Sequence, residues 1–245
     1  MISIIQEFLA KIILGSFDYL VSKFTNNKPV LSTEDIPFYN LLLSQRAIIL
    51  NEYLDVLKRK ELNNIKDFYK TKKHINADDK WKAEPLILYN YLFKENSDKC
   101  PQTFQLVSKI PGCCAALFSV LEPGKYISPH KGIYKGIYRC LFTLQLEENA
   151  DCWIRVNDVK TYFKEGSIII FDETAEHEVS NSSTGNRVAL YLDIQRKLPF
   201  PLNLYNTLIY FMIRRSPFVQ NILKEYKKLE NVKVVPFISS KPVLK

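Results

Sequence analysis

The sequence lacks the features that mark disulfide-bonded or cysteine-rich metal-binding proteins. Its five cysteines are an odd number, and their spacing matches neither a disulfide framework nor a metal site. We expect no secretory signal peptide at the start of the chain. The sequence also contains no internal repeat. With 47% hydrophobic residues in 245, it can bury one substantial core, and the cysteine usage favours a reducing compartment.

No apolar run is long enough to cross a bilayer, which needs about 20 mostly apolar residues. Apolar residues recur at helical spacing through residues 1–24, but charged residues interrupt them. A second apolar stretch, residues 202–213, is also too short and is followed at once by Arg214 and Arg215. Both segments suit a helix that either lies in a membrane interface or packs on the rest of the protein.

Positive charge is concentrated in the C-terminal part of the sequence. The chain has a net charge of +8, and residues 196–245 contain ten lysines and arginines against two glutamates. Basic residues next to apolar sequence favour an anionic membrane surface, with nucleic acid as a weaker rival and a merely solvated helix face as the remaining alternative. We therefore expect a protein that is peripherally associated with a membrane, on its cytoplasmic side.

The pattern of the middle of the chain differs from that of its ends. Residues 36–60 have the spacing of a helix. From Cys113 onward, short β-rich runs alternate with turn residues, which is typical of an all-β sandwich or barrel. The predicted strands are residues 114–121, 137–146, 152–157, 166–172, 177–181 and 186–195.

The sequence contains only three histidines. His74 stands among lysines, and we expect it at the surface. His130 and His177 both fall within the β-rich region, where neighbouring strands can bring them together. Imidazole suits iron, copper, nickel and zinc, so this pair is a candidate metal site. Ordinary hydrogen-bonded or surface histidines are the alternative that the residues leave open.

Each of these two histidines is followed by an arginine. Arg139 comes nine residues after His130, and Arg187 comes ten residues after His177. The guanidinium fork binds a carboxylate through two parallel hydrogen bonds, so an arginine beside a metal can hold a carboxylate ligand. An ion pair within the protein is the open alternative. The acids available for it are Asp172, Glu173 and Asp193.

Several motifs in this region occur in a fixed order between about Trp81 and Lys197. They are Cys100-Pro101-Gln102-Thr103, Ser128-Pro129-His130-Lys131-Gly132, Tyr138-Arg139, Phe171-Asp172-Glu173-Thr174, Glu176-His177-Glu178-Val179, Arg187 and Asp193. In this order and spacing they resemble the aspartyl/asparaginyl β-hydroxylase family, which includes the lipid A 2-hydroxylases.

The resemblance implies a mainly β fold, a double-stranded β-helix of the jelly-roll or cupin-like type with helical flanks. It divides the chain into an N-terminal helical flank (1–78), the jelly-roll domain (79–197) and a basic, apolar, helical tail (198–245). It also implies Fe(II), 2-oxoglutarate and O2 as cofactors and cosubstrates. By resemblance, iron is held by His130 and His177, and 2-oxoglutarate is contacted by Ser119, Arg139 and Arg187.

Two positions depart from family patterns. In the wider superfamily a carboxylate two residues after the first histidine completes the metal site, and here that residue is Gly132. The animal peptide hydroxylases of the family also have glycine there, whereas the lipid A enzymes have aspartate. The family usually has a histidine two residues after the first arginine, where this chain has Leu141.

The function that this resemblance implies is hydroxylation of an unactivated C–H bond by an Fe(II)- and 2-oxoglutarate-dependent dioxygenase. We expect a membrane lipid acyl chain as the substrate, because the flanks of the chain are apolar and basic. The first alternative is an Asp or Asn side chain of a protein or peptide. The second is a non-catalytic jelly roll that binds a carboxylate. The sequence gives no information on oligomeric state.

Overall fold

The computed structural model describes residues 2–25, 28–33, 36–70 and 78–238, with side chains from Lys11 onward. His74, which we expect at the surface, lies outside these ranges. The helices are α1 (Ile2–Phe24), α2 (Tyr39–Ser44), α3 (Arg46–Arg59), α4 (Ile65–Phe68), α5 (Lys94–Lys99), α6 (Pro101–Lys109), α7 (Leu202–Arg215) and α8 (Pro217–Leu229).

The strands belong to two antiparallel sheets. They are β1 (Val30–Leu31), β2 (Asn63–Asn64), β3 (Trp81–Leu88), β4 (Tyr91–Phe93), β5 (Cys113–Leu121), β6 (Lys125–His130), β7 (Ile137–Gln145), β8 (Cys152–Val156), β9 (Val159–Tyr162), β10 (Ile168–Phe171), β11 (His177–Asn181), β12 (Arg187–Gln195) and β13 (Val234–Pro236).

Strands β5 to β12 form a double-stranded β-helix. In the larger sheet, four of them lie in the order β10-β7-β12-β5, and the smaller sheet has the order β6-β11-β8-β9. The chain therefore crosses repeatedly from one sheet to the other, which is the topology of a jelly roll. The fold class predicted from the sequence is confirmed. Strands β3, β4 and β13 extend the larger sheet beyond β5, and β1 extends it beyond β10.

The central strand β12 shows why the larger sheet is buried on both faces. Val188, Leu190 and Leu192 pack into the hydrophobic core that the sheet shares with α2, α3 and α6. The alternate residues, beginning with Arg187 and Ala189, point the other way, because successive side chains of a strand face opposite sides of the sheet. The inner face of this sheet therefore carries polar groups into the barrel, whereas the outer face is apolar.

Three groups of helices pack against the sheets. The α2, α3 and α6 helices cover the outer face of the larger sheet. A second core joins α8 and Phe68 of α4 to β3, β4 and the start of β5. A third joins α1 and α7, and in it the Phe17 and Tyr205 rings meet edge to face at 5.3 Å. Burial of each large apolar side chain in such cores contributes about 1.5–3 kcal/mol.

Several local expectations were wrong. The helix expected over residues 36–60 is divided into α2 and α3 at Gln45. Residues 125–130 were not among the predicted strands but form β6, in which Ser128-Pro129 is more typical of a turn. The polar edge strand β9 was not predicted, and it is mostly exposed. The C-terminal tail is not wholly helical, because β13 pairs with β4.

Candidate functional site

The candidate site is built around two histidines on neighbouring strands of the smaller sheet. His130 ends β6 and His177 begins β11, and the two residues lie directly opposite each other in the strand register. Their ring centroids are 4.2 Å apart, with the rings tilted by 54°. His177 is buried and also contacts the Phe171 ring, at 4.9 Å between centroids. The fold therefore places side by side two imidazoles that are 47 residues apart in the chain.

Both imidazoles are oriented by the same type of hydrogen bond. Nδ1 of His130 lies 2.8 Å from the carbonyl oxygen of Ser128, and Nδ1 of His177 lies 2.9 Å from that of Ala175. A carbonyl oxygen only accepts, so each Nδ1 must carry the hydrogen. In the neutral imidazole, Nε2 then bears the lone pair. This arrangement, an Nδ1–H bonded to a backbone carbonyl, is the one commonly found in metal-binding histidines.

No third protein ligand accompanies these two histidines in the described ranges, where no cluster of three or more His, Cys, Asp or Glu residues is arranged to hold a metal. The surroundings of Gly132 explain part of the absence of a third ligand. The Gly132 N–H donates to the carbonyl oxygen of Glu173 at 2.6 Å. A Cβ at residue 132 would lie 2.5 Å from Cδ of Glu173, so the Glu173 side chain already fills the space that a carboxylate at residue 132 would need.

Arg139, on the inner face of β7, is already paired within the protein. Its Nε donates to Oδ1 of Asp193 at 3.0 Å, and its Nη2 lies 2.5 Å from Oε2 of Glu173. Its guanidinium also lies over the Tyr191 ring, 4.7 Å from the centroid. Burial disfavours the charged form, but the two carboxylates outweigh burial and raise the pKa of Arg139 well above its usual value. Of the alternatives that the sequence left open for Arg139, the ion pair within the protein is present.

Arg187, on the inner face of β12, has a different environment. It is buried, and its Nε and Nη1 have no hydrogen-bond partner among the described residues. No described carboxylate forms an ion pair with it, and its guanidinium lies 5.2 Å from the centroid of the Phe163 ring. Burial lowers the pKa of Arg187 to about 10, so the side chain remains charged at neutral pH. A buried cation without an anion is costly unless a ligand supplies one.

Two hydroxyl groups share the inner face with Arg187. In the sheet register, Ala189 lies between Ser119 of β5 and Thr143 of β7, two residues along the strand from Arg187. Ser119 Oγ accepts a hydrogen bond from Nε1 of Trp81 at 3.1 Å. Thr143 is fully buried, and its Oγ1 has no partner in the part of the chain that the structure describes. The larger sheet thus offers a guanidinium and two hydroxyls on one face.

Thr143 was missed by the sequence-based prediction. The only signal was a polar residue between the apolar Phe142 and Leu144, on the side of β7 that also carries Arg139. Leu141, which stands where the family has a histidine, lies on the same face and packs with the barrel core around Phe171. An apolar side chain therefore occupies the position of the missing histidine, and the nearest polar group farther along the strand is Thr143.

A cavity of about 260 Å³ opens beside the histidine pair. Its polar wall includes His130, Arg139 and Glu173, and the remaining wall is mostly apolar or aromatic. The apolar wall includes Phe68, Trp81, Leu117, Ile133, Tyr210 and Ile213. Ser119, Thr143 and Arg187 are not part of this wall. They belong to the inner face of the larger sheet, with Arg187 beside Phe163.

Comparison with known proteins identifies relatives of the chain. A family model described as "Aspartyl/Asparaginyl beta-hydroxylase" matches residues 44–197. This match begins in α2 and therefore includes helices upstream of the β-rich region as well as the barrel. The resemblance drawn from the sequence motifs is confirmed.

The names of individual relatives specify different substrates. The "Ornithine lipid ester-linked acyl 2-hydroxylase" of Rhizobium tropici is 32% identical over 206 residues, which are 83% of this chain and 73% of that protein. The human "Aspartyl/asparaginyl beta-hydroxylase" is 31% identical over 110 residues, 41% of this chain and 14% of that protein. Among solved structures, the cupin domain of Schizosaccharomyces pombe Cnp3 matches 38% of this chain and 60% of that chain, with 15% identity and a TM-score of 0.31. The chain belongs to the aspartyl/asparaginyl β-hydroxylase family and is a hydroxylase by that membership.

Proposed function

We propose that the chain is an Fe(II)- and 2-oxoglutarate-dependent dioxygenase that hydroxylates an unactivated C–H bond in the acyl chain of a membrane lipid. The observation that carries the proposal is the His130–His177 pair. In each ring, a hydrogen bond from Nδ1 to a backbone carbonyl leaves the lone pair on Nε2. In the overall reaction one atom of O2 enters the new alcohol. The other enters succinate, which forms as 2-oxoglutarate loses CO2.

The residues present fit an iron ion with few protein ligands. Nε2 of His130 and Nε2 of His177 would hold it, and Gly132 contributes no side chain. Iron bound there supplies, with 2-oxoglutarate and O2, the oxidising power that the side chains of the protein lack. The protein's own part is to orient the substrate and to exclude water from the cavity, and the largely apolar wall of the cavity suits that task.

The residues present also fit a dicarboxylate cosubstrate. We propose that Arg187 pairs with the carboxylate of 2-oxoglutarate that is remote from the metal, and that Ser119 and Thr143 donate hydrogen bonds to it. Support comes from the buried guanidinium, for which the described residues provide no counter-ion, and from the unpartnered Thr143 hydroxyl. Arg139 would contact 2-oxoglutarate nearer the metal. It is a weaker anion site than Arg187, because Asp193 and Glu173 already balance its charge.

The cavity favours an acyl chain over an Asp or Asn side chain as the substrate. A hydrocarbon chain is matched by the apolar and aromatic wall, whereas a carboxylate or amide placed there needs hydrogen-bond partners to offset its desolvation. The lipid-modifying relative from Rhizobium tropici supports the same choice. Peptidyl Asp/Asn hydroxylation is the second candidate, favoured by Gly132 and by the human relative. A non-catalytic, carboxylate-binding jelly roll is the third.

We propose that the enzyme works at the cytoplasmic side of an anionic membrane, as a peripheral protein. The basic character of residues 196–245 and the substrate class both support this location. Within the described ranges, no helix combines the length and the apolar character needed to cross a bilayer.

Anaerobic loading with Fe(II), followed by addition of 2-oxoglutarate, O2 and extracted membrane lipids, tests the proposal. We expect succinate and a lipid heavier by one oxygen atom, with the added mass on an acyl chain. His130→Ala and His177→Ala should abolish both products, whereas His74→Ala serves as the matched histidine control. An added oxygen on Asp or Asn in a parallel assay with extracted cell protein would select the second candidate. Tight binding of 2-oxoglutarate without any succinate would select the third.

A further inference from the structure

The α7 helix presents an apolar stripe to solvent. Leu204, Leu208 and Phe211 are 64%, 56% and 51% exposed, and they recur at the spacing that places residues on one side of a helix. Phe200, just before the helix, and Met212 extend the stripe. A shallow groove with an almost wholly apolar wall runs along the same side. Apolar residues gathered in one exposed patch, rather than scattered singly, indicate an interaction surface.

The other side of α7 forms part of the cavity next to the histidines. Tyr210 and Ile213 belong to the cavity wall. Ile209 and Tyr210 are buried in the core that α7 shares with α1. One helix therefore separates the substrate cavity from the exposed apolar stripe, and whatever covers the stripe lies close to the cavity.

Positive charge borders the stripe. The sequence of α7 contains no acidic residue and ends with Arg214 and Arg215. The Arg215 guanidinium lies over the Phe211 ring, 3.6 Å from its centroid, so this cation is held beside the apolar stripe. The exposed Lys197 precedes the helix, and Lys23 of the packed helix α1 adds another exposed cation. Apolar side chains flanked by cations fit an anionic bilayer, where cations contact headgroups and apolar groups enter the acyl region.

We propose that α7 is the membrane-docking element of this enzyme and that its exposed stripe inserts into the interface of an anionic bilayer. The Tyr210–Ile213 wall of the cavity then lies at the membrane, and an acyl chain reaches His130 without passing through bulk water. The route of the acyl chain rests on the proposed function, whereas docking itself does not. A second copy of the chain fits the stripe less well, because α7 offers no acid to pair with the arginines.

Vesicle co-sedimentation tests the docking surface. The intact protein should bind vesicles of phosphatidylcholine with one quarter phosphatidylglycerol, and should bind pure phosphatidylcholine weakly. Leu204→Gln/Leu208→Gln should lower the affinity by about tenfold or more, because two inserted side chains are lost. The matched control is Leu54→Gln/Leu57→Gln, which changes two leucines of α3 that are 37% and 40% exposed. Lys197→Gln/Arg215→Gln, which changes two exposed cations, should remove most of the preference for anionic vesicles.

Three results would overturn the proposal. They are failure of the intact protein to bind the anionic vesicles, equal loss of binding in the α3 control, and light scattering that shows a dimer which Leu204→Gln/Leu208→Gln dissociates. The last result would assign the stripe to a second copy of the chain.

A second readout separates docking from catalysis. His130→Ala should bind vesicles like the unaltered protein, because the metal site takes no part in docking. Leu204→Gln/Leu208→Gln should form succinate with detergent-dispersed lipid at the unaltered rate but lose turnover on vesicles. If vesicle binding behaves as expected and no lipid is hydroxylated in either form, the proposed function fails and the docking surface stands. If dispersed and vesicle lipids are hydroxylated equally well by both proteins, the docking surface fails alone.

Discussion

Arg139 and Arg187 lie on the same face of the same sheet but have opposite electrostatic environments. Asp193 and Glu173 neutralise Arg139, so its charge is satisfied by the folded chain. Arg187 is buried against Phe163, and no described residue accepts a hydrogen bond from its Nε or Nη1. Arg139 therefore balances two carboxylates of the folded chain, whereas Arg187 costs stability until an anion binds. This asymmetry is how the structure indicates where a carboxylate ligand belongs.

Replacing each arginine by methionine should produce the largest contrast. Arg139→Met leaves two buried carboxylates without their cation, and we expect it to lower the free energy of unfolding by about 3–5 kcal/mol. Arg187→Met removes a buried charge that lacks a counter-ion, so the free energy of unfolding should be unchanged or higher. Urea denaturation of the ligand-free proteins measures both values. Equal destabilisation by the two substitutions would contradict the assigned environments.

Arg187→Met should not lower stability, but it should weaken the binding of 2-oxoglutarate. Because the remote carboxylate loses its charged partner, Arg187→Met should weaken the equilibrium affinity by about 100-fold, or about 2.7 kcal/mol. Isothermal titration calorimetry without O2 measures this loss in the absence of turnover. Arg187→Lys, which keeps the charge but not the fork, should recover only part of the affinity. Full affinity in Arg187→Met would show that the carboxylate binds elsewhere.

Binding of 2-oxoglutarate should also stabilise the unaltered protein against unfolding. A dicarboxylate at 100 times its Kd should raise the free energy of unfolding by about 2.7 kcal/mol, since it binds the folded state only. Thermal unfolding with and without 2-oxoglutarate measures this shift. The same concentration should leave Arg187→Met almost unaffected. A monocarboxylate such as acetate, added at equal concentration, is the control for general ionic effects.

Thr143 should have the smallest of these effects. Thr143→Val keeps the shape of the side chain and removes the hydroxyl, and we expect the Kd for 2-oxoglutarate to rise about tenfold, as for loss of one hydrogen bond to a charged group. Thr161→Val, on the partly exposed strand β9, is the matched control and should leave the Kd unchanged. Because the Thr143 hydroxyl has no described protein partner, stability without ligand should not fall. A destabilised protein with an unchanged Kd would assign Thr143 to the core.

The sequence was sufficient for the barrel because its pattern is repeated along the chain. Buried strands such as β5 and β12 are mostly apolar runs, and turn residues separate the strands of the barrel. Strand β6 was missed because its buried residue Lys125 is charged and its exposed residue Tyr126 is aromatic, which hides the alternation of a half-buried strand, and because it contains Ser128-Pro129. Strand β13 was missed because its pairing with β4 is a contact between residues about 140 positions apart, and no local pattern reports such a contact.

The sequence singled out most residues of the candidate site but not their electrostatics. Order and spacing identified His130, His177, Arg139 and Arg187, and the structure brings the two histidines into contact. The sequence offered the same acids to both arginines. Only the register of β12 with β7, which places Asp193 opposite Arg139, decides which arginine is neutralised. The α7 helix forms part of the cavity wall on one side and the exposed apolar stripe on the other. Which residues take which role likewise depends on how the helix is rotated against the barrel.

The most direct test of the account is a crystal structure of the protein grown without O2 in the presence of Fe(II) and 2-oxoglutarate. We predict one ion bound by Nε2 of His130 and Nε2 of His177 at about 2.1 Å, as is typical of metal–imidazole bonds. We also predict a carboxylate of 2-oxoglutarate on the Arg187 guanidinium. An ion bound away from this histidine pair, or a cosubstrate held by Arg139 with Arg187 left bare, would contradict the account.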